Sequence, residues 1–537
     1  MDVKEYLIGA VEYLFPDKAV VPMTHKAKEY EPTAAATYRT LFTDSFNGEK
    51  NLGEIGPVKM YALDYCILRA RSWQAYLESG VTQTVLRKFT LWMVGAGLKL
   101  QCEPSKKFFA TEGIDFDVHK FSEQVEARWQ VFAKSKCADF ANMVTLNKVQ
   151  QRAYLNSIIG GDVLVLLRVI NGQVKVQLVD GEHVQSPGYG SDAWPQDLPN
   201  GNQLKNGIET DPTGEHIAYY VRNDKYEYER IPARNSTGLI MAYMVFGLEY
   251  RLDNNRGVPL ITTVMEKLAK MNRYEEATIG SAEERQKIAY FFEHGTQSTG
   301  DSAIMKQMAK ARNVDSNSDQ LPVDISGNAL ADLVAATTNK MTFNLTPDST
   351  VKMLDSKNEL YFKDFFGVNI DIICACIGIP PNVAMSKYDD SFSASRAALK
   401  DWEHVLNVGR VDFSSQFLQP IYNLWLEVEI LKNKIQAPGY LLAKVNGNEM
   451  LMSAYRTARF VGPNVPHIDP LKEVKAEREK LGASGADLPL TTLEAATESL
   501  NGGESYNNLE QYAAELQQAK DLKIITPEPI QVPPGKD

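Results

Sequence analysis

Two apolar-periodic stretches flanking a long polar one limit most strongly what this chain can fold into. After Pro259, the residues Leu260, Val264, Leu268, Met271, Ile279 and Ile288 recur at helical spacing between Gly257 and Gly295. As a single helix this stretch would run about 45 Å at 1.5 Å per residue. Residues 296–356 are polar and irregular, with "MTFNLTPDSTVKML" reading as a hairpin. Periodicity then returns at Leu360, Phe362, Phe365, Phe366, Ile370, Ile373 and Ile377. Two long helices around a small polar unit make a stalk with a tip, a shape that one rounded core cannot provide.

The second helix stops abruptly. In "IGIPPNVAMSKYDDSFSASRAALKDWEHV" (377–405), Gly378 closes the apolar run and Pro380-Pro381 oppose further helix. A polar loop of roughly ten residues is expected next, then a third long helix from Ser395, interrupted at Pro420. Ser391 and Ser393 suit helix caps, because their hydroxyls satisfy the first free amides. The loop tip holds Met385, Lys387, Tyr388, Asp389 and Asp390. The two acids read as a solvated turn favouring the positive end of the following helix, rather than as a hydrolytic pair.

At 537 residues the chain exceeds a single core, so two to four structural units are expected. Residues 1–60 read as an arm. Leu63 to Leu91 and residues 118–133 read as helical, the latter carrying Phe121, Val125, Trp129 and Phe132. The middle is rich in strands: "GGDVLVLLRV" (160–169), "QVKVQLVD" (173–180), "HIAYYVRN" (216–223) and "TGLIMAYMVF" (237–246), separated by Asn-Gly, Asp-Gly and Pro-Gly turns. Helices and strands together form an α+β unit. Beyond Asp469 the tail is rich in Glu, Lys, Ala and Leu and is expected to be helical, then frayed.

A net charge of -11 argues against gripping nucleic acid over a broad basic surface, which needs clustered Lys and Arg. The five scattered cysteines, Cys66, Cys102, Cys137, Cys374 and Cys376, form no CxxC pair and suit a reducing compartment. The start "MDVKEYLIGAVEYLF" is acidic where a signal peptide is basic. The run GLIMAYMVFGL (238–248) is about half the length of a membrane helix. The expectation is a soluble protein made inside the cell, with no membrane partner.

Chemical motifs are sparse. Gly535-Lys536 is the only Gly-Lys and lies in the tail, so there is no phosphate-binding P-loop. Gly95-Ala96-Gly97 follows a helix and reads as the turn leaving it. The seven histidines form no zinc pattern, and His404 reads as a helix-face residue. Cys374 and Cys376 read as a buried core pair. Ser391, Ser393 and Ser395 lack a nucleophile elbow. Neither catalysis nor a cofactor or metal is expected.

Gly378-Ile379-Pro380, a spacer and "SFSASRAAL" resemble the portal proteins of lambda-type tailed bacteriophages, where Gly-Ile-Pro precedes a Tyr-Ser-Ser-x-Arg-Ala block. The likeness continues in order. "LRARSWQAYLESG" with "VGAGLKLQCEP" (68–104) is similar to an Arg-x-Arg-Ser helix and a Val-Gly-x-Gly segment. "RWQVFAKSKCADFANMVTLNKVQQRAYLNSIIGGDVLV" (128–165) fits a Trp, Cys-x-Asp and Gly-Asp/Glu-Val pattern. "RGVPLITTVMEKLAKMNRYEEA" (256–277) is similar to an Arg-Gly-Val-Pro stem start, and "HIDPLKEVKAERE" (467–479) to an Asp-Pro-x-Lys-Glu element. The collinear likeness covers roughly residues 63–480. Phe392 stands where the family has Tyr, Ala394 replaces a Ser, and "YMVFGLEYRLDNNRG" lacks the usual Arg-Pro-x-Gln.

The resemblance implies an α+β portal subunit in a ring, typically a dodecamer, at one capsid vertex of the virion, assembled in the host cytoplasm. Its parts would be an N-terminal arm (1–60), an α+β wing (61–255) and a stem helix (256–295). A clip (296–356), a second stem helix (357–379) and a tunnel loop (380–395) would follow. A long helix with wing return (396–468) and a crown with C-terminal tail (469–537) would complete it. Implied partners are further copies of the chain, the terminase large subunit, major capsid and scaffolding proteins, head-tail adaptor proteins, and double-stranded DNA passing without sequence preference. The ring would nucleate head assembly and conduct DNA in packaging and ejection, with the loop facing the DNA. Negative charge fits a conduit wall that repels phosphates. The competing readings are a phage head protein with hydrolase or protease activity, and a monomeric head scaffold or adaptor.

Overall fold

The computed structural model describes residues 65–187, 196–223, 225–249, 255–292, 341–344, 362–387, 392–464, 470–482, 489–501, 503 and 505–522. They belong to two compact units, Val264–Ile373 and the remainder of the chain on either side of it. Helix and sheet are mixed, as the α+β reading anticipates.

The larger unit opens with α1 (Tyr65–Glu78) and α2 (Gly80–Met93) where one helical stretch is expected. The break lies at Ser79, whose hydroxyl caps α2 by accepting from the Thr82 amide, next to the poor helix former Gly80. Gly95 and Gly97, at φ +56° and +111°, turn the chain into β1 (Lys99–Cys102), which pairs antiparallel with the distant β12 (Ala458–Val461). After α3 (Lys106–Thr111), α4 (Val118–Lys134) buries Phe121, Val125 and Trp129 along one face. The Trp129 ring meets Trp425 edge-on at 5.1 Å, a geometry that adds about 1 kcal/mol to burial. The helix α5 (Leu146–Gly160) is capped by Thr145 and ended by Gly161 at φ +97°.

β2 (Asp162–Ile170) then forms the centre of a three-stranded antiparallel sheet between β3 (Gln173–Asp180) and β9 (Ala242–Phe246). Asn171 and Gly172, both at positive φ, make the tight β2–β3 turn that an Asn-Gly pair favours. A five-stranded meander holds β4 (Gln196–Asp197), β5 (Gln203–Lys205), β6 (Ile208–Thr210), β7 (His216–Arg222) and β8 (Tyr228–Pro232). Leu164, Leu166, Val184, Ile208, Tyr219, Ala242 and Met244 form a shared core of the two sheets.

The smaller unit contains α6 (Met265–Lys287), β10 (Ile288–Phe292), β11 (Met341–Asn344) and most of α7 (Phe362–Ile377). The helix α6 has 23 residues, about 35 Å. It is shorter than the expected continuous helix, because Ile288 opens a strand. "IAYFF" is β-branched and aromatic, and it pairs in parallel with Met341–Asn344. The Tyr274 ring on α6 lies 5.8 Å from Phe362 and 4.4 Å from Phe365 on α7. Apart from Met341–Asn344, residues 296–356 lie outside the described residues, as do residues 1–64 and 523–537.

The chain continues with α8 (Pro381–Met385), α9 (Phe392–Phe413) and α10 (Gln419–Leu431). Pro420 does not break this last path. A π turn at Ser414–Leu418, closed by the Gln419 amide on the Ser414 carbonyl, widens the backbone before the proline. Tyr243 donates to the Phe417 carbonyl at 2.7 Å, which fixes the widened turn to β9. Then come α11 (Tyr440–Asn446), α12 (Glu449–Arg456), α13 (Pro470–Lys480), α14 (Leu493–Asn501) and α15 (Ser505–Asp521).

Candidate functional site: a helix platform beneath the loop

The loop's incoming end is built into the core. At the end of α7, Gly378 takes φ +83° and its amide donates to the Cys374 carbonyl at 2.9 Å, a glycine helix cap. Instead of an immediate open loop, the chain makes one more helical turn, α8. Pro381 occupies the first helical position, where its missing N–H costs nothing, so the second proline starts a helix rather than excluding one. Ile379, Val383 and Ala384 are buried.

Lys88 on α2 closes this turn. Its ammonium donates to the Val383 carbonyl at 3.0 Å and to the Ser386 hydroxyl. A cation at a helix C-terminus meets both the free carbonyls and the negative end of the backbone dipoles. Ser386 is left-handed at φ +55°, and the Lys387 amide reaches back to the Asn382 carbonyl at 2.9 Å. Met385 is therefore half-buried at the end of α8, and Lys387 is exposed beyond it. Tyr388, Asp389, Asp390 and Ser391 lie outside the described residues. Ser393 falls in the first turn of α9.

The outgoing helix rests on the same platform. Trp402 on α9 is buried and meets Trp92 of α2 edge-on at 5.2 Å. Arg410 donates to the Trp92, Met93 and Pro463 carbonyls at 2.7, 3.1 and 2.6 Å, so its charge caps the C-terminus of α2. One helix thus holds both ends of the loop, by Lys88 on entry and Trp92 with its neighbour Met93 on exit. Cys374 is buried while Cys376 is exposed, which corrects the expectation of a buried pair: residues two apart on a helix point about 200° apart. His404 is exposed on α9.

The sequence blocks singled out above meet in space. Asp162, fully buried at the mouth of β2, accepts from Arg256 Nε at 2.6 Å, Arg256 Nη2 at 2.9 Å, Arg69 Nη2 and the Gly257 amide at 3.1 Å. Arg256 spends its other donors on the carbonyls of Val184, Asn206 and Gly181 at 2.8, 2.9 and 2.6 Å. Burial would raise the Asp162 pKa, but Arg256 and Arg69 outweigh it and hold the carboxyl below its usual range. The Arg-x-Arg-Ser helix, the Gly-Asp-Val strand and the Arg-Gly-Val-Pro start therefore share one ion network, next to where the chain leaves the larger unit after Thr263. Glycines make room for it. A Cβ at Gly257 would overlap the Gly161 carbonyl oxygen, and one at Gly181 would overlap Asp162.

Two further blocks also acquire partners. Arg396, from the Ser-x-Arg-Ala block, lies 3.5 Å from Glu473 of the Asp-Pro-x-Lys-Glu element. Asp139, of the Cys-x-Asp pattern, accepts from the Met143 amide at 2.9 Å and shapes the turn before α5. Lys88 and Arg410 were not singled out in the sequence, since a lysine or arginine on a helix face gives no sign of the distant carbonyl it reaches. Asp162 did leave a signal: a lone carboxylate directly before the apolar run Val163–Leu167.

Among the described residues, no group of three or more His, Cys, Asp or Glu could hold a metal ion, and no helix is long and apolar enough to cross a membrane. What they define is a body of mixed helix and sheet in which buried charge ties together segments distant in the sequence. The family described as phage portal protein, lambda family, matches residues 60–408, well over half of the chain, and the chain belongs to that family. No curated protein matches it. Among solved structures it is similar to a chain from the neck of the empty GTA particle computed with C6 symmetry. The identity is 9%, the coverage 84% of this chain and 95% of that one, and the TM-score 0.43. A chain from the neck of the native GTA particle computed with C12 symmetry shows 10% identity, 71% and 91% coverage and a TM-score of 0.31.

Proposed function

We propose that copies of this chain assemble into a closed ring, of twelve by family pattern, at one vertex of a phage capsid, and that genomic DNA passes through its bore. The family match over residues 60–408 carries this reading. The convergence of Arg69, Asp162 and Arg256 supports it, because it brings family-like blocks from distant parts of the sequence into one buried ion network. The loop around Met385, Lys387, Tyr388, Asp389 and Asp390 faces the DNA, and its two acids keep phosphates from sticking. Ser391, just before Phe392, caps the helix that leaves it, whereas Ser393 already lies within its first turn.

In this reading residues 296–356 form the clip that docks the terminase large subunit, which supplies the energy for packaging. The ring nucleates head assembly with major capsid and scaffolding proteins, in the host cytoplasm, and later holds the head-tail adaptor. Mass photometry and negative-stain imaging of the purified chain test it. Particles many times the 60.0 kDa subunit, with a central hole, are expected. A strictly monomeric species across protein concentration and salt overturns the ring.

A further inference from the structure

We infer that residues 2–17 of this chain lie over a basic and apolar surface at the far end of β2, a contact independent of the ring reading above. Distant parts of the larger unit meet at that surface. The turn after α4 joins β3 by the Asp139–Val176 bridge and by the Phe140 amide, which donates to the Val176 carbonyl at 3.0 Å. Arg168, near the end of β2, sets its guanidinium 5.2 Å from the centre of the Phe140 ring. The Lys432 stem, just past α10, lies 3.1 Å from where a Cβ on Gly172 of the β2–β3 turn would stand.

The surface is tightly bonded yet uncovered. Asp139 accepts from the Met143 and Val144 amides at 2.9 and 3.3 Å, and Asn142 is left-handed at φ +56°. The Lys175 ammonium donates to the Asn142 side chain and to the Asp139 carbonyl. Held in this way, Met143 stands 71% exposed, with Phe140 at 39% and Val131, on the last turn of α4, at 70%. Lys134, Lys136 and Lys434 are exposed as well, and none of the three meets a carboxylate among the described residues. Clustered Met, Phe and Arg with apolar area left in water mark a surface that something covers.

The chain's own sequence supplies the complement. Residues 2–17, DVKEYLIGAVEYLFPD, set Asp2, Glu5, Glu12 and Asp17 against Lys4 alone, and add Leu7, Ile8, Leu14 and Phe15. Nucleic acid would match the cations but leave the exposed Met143 and Val131 unsatisfied. The same surface of a second copy would bring like charges together. Reach is sufficient. Arg69 of α1 binds Asp162 at the near end of β2, and the strand from there to Arg168 is about 20 Å long. A random coil as long as the stretch from Asp17 to Tyr65 spans roughly 38 Å. Tethering also raises the effective concentration, so a modest affinity suffices.

The test is mild peroxide oxidation of the full-length chain, read by mass spectrometry, with Met450 of α12, 70% exposed, as internal reference. Met143 should oxidise several-fold more slowly than Met450 in the parent, and at the Met450 rate once residues 2–17 are deleted. Glu5→Lys with Glu12→Lys should expose Met143 in the same way, and adding Lys134→Glu with Lys136→Glu should restore its protection. A Met143 as reactive as Met450 in the parent overturns the contact, as does a rate indifferent to the charge exchanges. Protection that survives the deletion overturns it too and assigns the cover to another copy. Protection seen only with added DNA overturns it in favour of nucleic acid. Mass photometry of the same samples reads the ring separately.

Discussion

Arg256 sets both prongs of its guanidinium on the Asp162 carboxylate, Nε 2.6 Å from Oδ2 and Nη2 2.9 Å from Oδ1, with neither side chain reached by solvent. Fork-on-fork pairing of this kind is strong and directional. Here it joins residues 94 positions apart, at the start of a central strand and at the exit from the larger unit. Removing the acid takes the shared carboxylate from two buried cations, leaving Arg69 with the more distant Asp180 at 3.8 Å. Asp162→Ala should cost about 3–5 kcal/mol of stability, read as a lowered denaturant midpoint or loss of soluble protein. A change under about 1 kcal/mol would show that Arg256 is held by its three carbonyls alone.

Acid should loosen the larger unit in a defined window. Glu209, buried on β6, is pushed up by burial, but Arg230, Asn202 and Asn200 donate to it and hold it down at about 2. Asp162 is depressed as well. A carboxyl whose folded pKa lies below its unfolded one stabilises above the unfolded value and loses that contribution as pH falls through the folded one. Thermal midpoints should therefore be level above about pH 5 and fall from about pH 4.5 toward 2. Glu209→Gln should flatten part of that slope, and an unchanged slope would remove Glu209 from the account.

Two glycine substitutions should move stability in opposite directions. Gly257→Ala drives a Cβ into the Gly161 carbonyl, whose own residue is held by a positive φ. Overpacking against backbone should cost more than about 1–3 kcal/mol. Gly280 lies in the interior of α6 with nothing within 4 Å of an added Cβ. Gly280→Ala should gain roughly 0.5–1 kcal/mol by helix propensity. Chemical denaturation of both variants checks the pair of signs.

Lys88→Met removes the cation that closes α8 and leaves its apolar stem. Amides at Ser386 and Lys387, now bonded to the carbonyls of Val383 and Asn382, should exchange with deuterium roughly tenfold faster, as expected for a loss of about 1.4 kcal/mol. Exchange elsewhere on α2 should not change. Equal acceleration along the whole of α2 would mean that Lys88 supports the helix rather than the loop.

Asp389→Lys together with Asp390→Lys turns repulsion of phosphates into attraction. Rings should form normally, with packaging slowed or stalled, more so at low salt where screening is weakest. Normal packaging by this variant at every salt concentration would take the loop out of the DNA path.

The local elements were legible in the sequence because their causes are local. Phe121, Val125 and Trp129 announce a helix by spacing alone, and Asn171-Gly172 announces its hairpin by the positive φ that Asn and Gly tolerate. Family-like blocks were legible as well, as text in order. What they do to one another was not. That Arg69, Asp162 and Arg256 form one buried network, that Arg396 reaches Glu473, and that Lys88 closes a turn 295 residues away follow from packing, since no period relates such distant positions. Tertiary pairing also overrode local preference, taking Ile288 from a helix into a strand beside Met341 and letting a π turn carry the chain past Pro420. Spacing specifies which face of an element is apolar, whereas a buried charge is tolerated only where the whole fold brings its counterion and carbonyls to it.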